Sequence, residues 1–76
     1  MSAFEFSPAA LRRIRTERGI GQRRLARQIG RTHTNVSGYE CGRSAPSLPT
    51  LAAIADALGV SMDDFMTRAD REEVSA

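Results

Sequence analysis

Glycine and proline cut this chain into pieces that suit short helices and little else. Gly19, Gly30, Gly42 and Gly59 each close a stretch in which apolar residues recur at helical spacing. Glycine stops helices because it alone enters the left-handed region without strain. Pro8, Pro46 and Pro49 stand near helix starts, where a missing N–H does no harm. β-branched and aromatic residues are sparse and nothing alternates with period two, so the pattern argues against a sheet. In 76 residues there is room for one domain. A domain of that size buries only about 60% of its unfolded surface and depends on efficient packing.

Five helices are expected. Ser7 caps the first and Pro8 opens it. Phe6 is placed to pack on Leu11, and Leu11 and Ile14 share one face before Gly19. The second runs from about Gln22 to Ile29, with Leu25, Ala26 and Ile29 inward. Thr32 caps a third that runs to about Glu40, with Val36 and Tyr39 inward. A fourth lies near Pro49–Leu58, where Leu51, Ile54, Ala55 and Leu58 form the clearest amphipathic stripe. Ser61 and Asp64 have the spacing of a capping box for a short fifth helix carrying Phe65. The expected organisation is an all-α domain over residues 8–66, an N-terminal arm over 1–7, and a tail or frayed helical extension over 67–76.

The charges are distributed unevenly. All eleven basic residues are arginine. Residues 1–43 carry nine arginines against three acids, a balance of +6; residues 44–76 carry two against six, a balance of −4. Such asymmetry points to an anionic partner. Cys41 stands alone, which excludes an internal disulfide, and with His33 it supplies too few ligands for zinc. One histidine at a helix tip with no acid nearby makes no catalytic triad. No run approaches the ~18 apolar residues of a membrane span, and the N-terminus lacks a signal peptide's pattern. These features predict a cytoplasmic protein without enzymatic activity, cofactor, metal or small-molecule ligand.

Helices two and three are joined by a short turn containing Gly30, and Ala26 lets another helix approach closely. That is the layout of a helix-turn-helix. From Arg18 to Tyr39 there is no acid, while Arg18, Arg23, Arg24, Arg27 and Arg31 fall in the window. Arg23 and Arg27, four apart, repel one another on an isolated helix; a polyanion reverses that cost. The outer surface of helix three reads His33, Thr34, Asn35, Ser37 and Gly38. Uncharged donors and acceptors suit base edges, and flanking arginines suit phosphates. The free N–H groups at Thr32–Asn35 also favour phosphate.

From Leu11 to Phe65 the chain resembles the lambda-repressor-like (Cro/Xre-type) helix-turn-helix family. The resemblance is carried by Leu11-Arg12-Arg13-Ile14-Arg15, Gly19-Ile20-Gly21-Gln22, Leu25-Ala26, Gly30, Val36 through Arg43, Pro46, and Leu51 through Val60. It implies a compact five-helix DNA-binding domain. It implies that Gln22 touches a phosphate and braces the first recognition residue, here His33, followed by Thr34. Gly38 matches a third base-reading position, where the absent Cβ leaves room for a thymine methyl. The base-reading set is therefore His33, Thr34, Ser37 and Gly38. The phosphate set is Gln22, Arg23, Arg31, Thr32, Asn35 and Arg43. Arg15 and Glu40 match a family pair and are expected to form a salt bridge between helices one and three. Gly21 departs from the Ser, Thr or Asn usual at the second cap.

The function so implied is sequence-specific binding of double-stranded DNA by a transcriptional regulator. The expected form is a bacterial or phage repressor on a palindromic operator. It is expected to act as a homodimer joined through the C-terminal helix region at Phe65 and Met66. Restriction–modification controllers and antitoxins share these features. A protein–protein adaptor that kept the fold is the alternative of a different class, and the acid-free stretch stands against it.

Overall fold

The chain enters its first helix at Ser7, whose Oγ accepts from the Ala10 N–H at 3.1 Å. Helix α1 (Pro8–Glu17) follows, then α2 (Gln22–Ile29), α3 (His33–Cys41) and α4 (Leu48–Leu58). The computed structural model describes residues 4–68; residues 1–3 of the expected arm and 69–76 of the expected tail lie outside the described residues. Ser47 caps α4, accepting from Thr50 N–H at 3.3 Å, so that helix begins one residue before Pro49.

The fifth helix does not form. A single 3-10 turn over Met62–Phe65 stands in its place, so the described residues form four α-helices. The capping box itself is present: Ser61 Oγ accepts from Asp63 N–H at 3.1 Å and Asp64 Oδ2 from Ser61 N–H at 3.1 Å. The turn stops because Met66 adopts extended backbone, with φ −109° and ψ 149°. Met66–Arg68 forms strand β2, which pairs antiparallel with strand β1 (Phe4–Phe6), opposing Phe6 to Met66 and Phe4 to Arg68. This ribbon also corrects the expectation that no sheet forms. Its two strands come from opposite ends of the described chain, and periodicity within either segment carries no sign of the other.

The core gathers one stripe from each helix. Leu11 and Ile14 of α1, Leu25 and Ala26 of α2, Val36 and Tyr39 of α3, and Leu51, Ile54, Ala55 and Leu58 of α4 form one cluster with Phe65. Each large side chain in it is worth about 1.5–3 kcal/mol relative to exposure. Phe65 has 0% exposure, and the Ser7 N–H donates to its carbonyl at 2.7 Å. Phe65 therefore belongs to the interior and not to a dimer surface: the turn that replaces the fifth helix packs on α1 and α4 and carries Phe65 into the core cluster. Met66 is only partly buried.

Candidate nucleic-acid interface

Gly30 ends α2 in the left-handed region, with φ 71°, a conformation that costs a residue with a Cβ about 1–2 kcal/mol. The reversal is held by the Arg31 N–H, which donates to the Ala26 carbonyl at 2.9 Å. Arg31 Nη2 donates to Thr50 Oγ1 at 3.2 Å, and Ser47 Oγ lies 3.0 Å from the same atom. Thr50 is buried, so the turn between α2 and α3 is fastened to the start of α4. Arg31, expected on phosphate, thus also has a structural partner, and no sequence motif announced it.

Thr32 caps α3 as anticipated from its type. Its Oγ1 accepts from Asn35 N–H at 3.1 Å, and Asn35 Oδ1 accepts from Thr32 N–H at 3.2 Å. The two residues expected on phosphate therefore spend one side-chain oxygen each on ordering the first turn of α3.

A chain of polar contacts then runs from α1 to the tip of α3. Arg15 Nε donates to Glu40 Oε2 at 2.5 Å and Arg15 Nη2 to Glu40 Oε1 at 3.1 Å. Arg15 Nη1 also reaches the Ile20 carbonyl at 2.8 Å. Glu40 Oε1 accepts in addition from Gln22 Nε2 at 2.9 Å. Gln22 Oε1 lies 2.9 Å from His33 Nε2. The Arg15 and Glu40 side chains are only 13% and 4% exposed, so the pair is held away from water. A carboxylate placed there is tolerable because three N–H donors satisfy it. The Ile20 carbonyl is a member that residue spacing does not reveal.

Thr34 and Asn35 are exposed, while His33 and Ser37 are half-buried. Gly38 is buried, and a Cβ built on it would lie 3.2 Å from Ser44 Oγ. The backbone of Gly38 is covered by the loop after α3, whose Arg43 N–H donates to the Gly38 carbonyl at 2.9 Å. The missing side chain of Gly38 admits the loop. Arg18, Arg23, Arg24, Arg27 and Arg43 are all exposed. Among the described residues the ion pairs are Arg13–Glu17 and Arg15–Glu40, which leaves these five guanidiniums without a carboxylate partner. Uncharged polar side chains on α3 and exposed cations at the end of α1, on α2 and in the loop after α3 are the two kinds of group that suit bases and phosphates respectively.

Residues 9–73 match the helix-turn-helix domain family. The chain belongs to that family, of the Cro/Xre type. It is similar to an SPbeta prophage-derived HTH-type transcriptional regulator, YonR, of Bacillus subtilis, with 40% identity over 53 residues, 70% of this chain and 49% of that one. The chain therefore spans about half the length of this relative. Its fold is similar to that of the clp gene regulator ClgR from Corynebacterium glutamicum, at TM-score 0.74 and 36% identity, covering 76% of this chain and 62% of that one. It is also similar to the P22 c2 repressor, determined in complex with a synthetic operator, at TM-score 0.72 and 25% identity, covering 78% of this chain and 89% of that one. No helix among the described residues is long and apolar enough to cross a membrane.

Proposed function

We propose that this chain is a sequence-specific, double-stranded DNA-binding regulator of transcription, acting as a repressor at a palindromic operator. The observation that carries this reading is the pairing of two surfaces. The tip of α3 offers uncharged polar groups, and α2 and the loop after α3 offer arginines with no carboxylate partner among the described residues. His33, Thr34 and Ser37 read base edges in the major groove. Arg23 and Arg43 grip phosphates, with Gln22, Thr32, Asn35 and Arg31 at the margins of the same surface. The likeness to a repressor solved with its operator supports the same reading.

Two copies act together in this proposal, with half-sites about one helical turn apart. With Phe65 in the core, a surface for this contact among the described residues is a groove of about 240 Å³ lined by Leu48, Leu51, Met62, Asp63 and Met66. Leu48 is 70% exposed there, a large apolar side chain that gains by being covered. Selection from random DNA tests the whole reading. It is expected to return a two-fold symmetric site, and enrichment of no sequence would overturn it.

A further inference from the structure

The hydrogen bond between Gln22 and His33 has a direction that the rest of the network imposes. Glu40 is paired with the Arg15 guanidinium, which stays protonated, and an ionised carboxylate only accepts. Gln22 must therefore offer its Nε2 to Glu40 Oε1, which turns its Oε1 toward His33 Nε2 at 2.9 Å. An amide oxygen cannot donate, so the proton of that bond is on Nε2. A neutral imidazole carries one N–H, which leaves Nδ1 as a lone pair. Among the described residues Nδ1 has no hydrogen-bond partner.

We propose that Glu40 and Gln22 are specificity-determining positioning residues: they hold His33 as the Nε2–H tautomer and leave Nδ1 as its base-reading atom. Neutral His33 then accepts from an exocyclic amine, adenine N6 or cytosine N4. The imidazolium, with a proton on both nitrogens, instead donates to guanine N7 or O6. This inference rests on α3 being the base-reading helix. The groups joined to the ring are the uncharged Gln22 of α2 and, behind it, Glu40 of α3 and Arg15 of α1, which pair with each other.

The test has two arms. The first is long-range proton–nitrogen NMR of the free protein at about pH 8, where an ordinary imidazole is neutral. It is expected to show a pyrrole-type Nε2 and a pyridine-type Nδ1. In Gln22→Leu the two shifts are expected to move toward each other as both tautomers are populated. The second arm is selection from random DNA at about pH 8. One base position per half-site is expected to favour adenine or cytosine over guanine about tenfold. Gln22→Leu is expected to lose that discrimination at this position alone. A neutral ring protonated on Nδ1, or a base preference that Gln22→Leu leaves unchanged at every position, overturns the proposal. Tautomer shifts unchanged in a folded Gln22→Leu overturn it as well. The absence of any DNA binding, with the Nε2–H form intact, sinks the DNA-binding reading and leaves the tautomer assignment standing.

Discussion

Arg15 and Glu40 are 25 residues apart in the chain, yet Nε of one lies 2.5 Å from Oε2 of the other. The pair ties α1 to the end of α3 and, through Gln22, reaches the tip of α3 as well. A single ion pair thus contributes both to holding three helices together and to orienting a candidate recognition side chain.

Glu40→Ala leaves Arg15 charged in a site that is largely closed to water. Removing one partner of such a pair costs about 3–5 kcal/mol. Urea unfolding followed by circular dichroism is expected to show a loss in that range, with DNA binding falling in parallel. Full stability with binding lost would instead place Glu40 at the DNA.

The exposed arginines are expected to act through phosphate. Affinity for DNA should fall linearly in a plot of log K against log salt, with a slope of about −0.9 per phosphate neutralised. Arg23→Ala or Arg43→Ala should weaken binding on all sequences alike and reduce the slope by about one such step. Thr34→Ala should do neither; it should relax preference at one or two base positions. Fluorescence anisotropy across a salt series separates the two behaviours.

Phe65 and Met66 are neighbours in the chain with opposite expected phenotypes. Phe65→Ala empties the core and is expected to cost about 3–5 kcal/mol at every protein concentration. Leu48→Asp, at an exposed position, should leave monomer stability within about 1 kcal/mol, as surface changes usually do, and both Leu48→Asp and Met66→Asp should shift sedimentation toward the monomer. Unchanged association in both aspartate variants would exclude the groove as the dimer contact.

Gly38 tests the loop contact. Alanine is favoured over glycine within a helix by about 1 kcal/mol, but its Cβ would press on Ser44 Oγ at 3.2 Å. Gly38→Ala is therefore expected to be more stabilising in a Ser44→Ala background than alone, by a difference of up to about 1 kcal/mol. Because the position is buried, the selected DNA sequence should stay the same. A changed base preference would return Gly38 to the reading surface.

Local chemistry determined much of this protein. The caps at Ser7 and Thr32, the glycine stops and the inward stripes at Leu11, Leu25, Val36 and Ile54 depend on residues three or four apart, so the amino-acid order alone displays them. The acid-free stretch around α2 and α3 is equally plain in the sequence. The Arg15–Glu40 pair was legible only through family resemblance, since nothing near either residue points to the other. What the tertiary structure decided is contact between distant segments. The strand at Met66–Arg68 ends the 3-10 turn after Phe65 because it has a partner at Phe4–Phe6, and a capping box specifies where a helix starts, not how far it runs. That Ser44 Oγ lies 3.2 Å from where a Cβ of Gly38 would stand is visible only in the fold. The family resemblance implies that Gln22 braces His33, but only the fold brings Glu40 to the Gln22 Nε2 and so turns the Gln22 Oε1 toward His33 Nε2. In each case the deciding term is a hydrogen bond or a packing contact between residues that only the folded chain brings within reach.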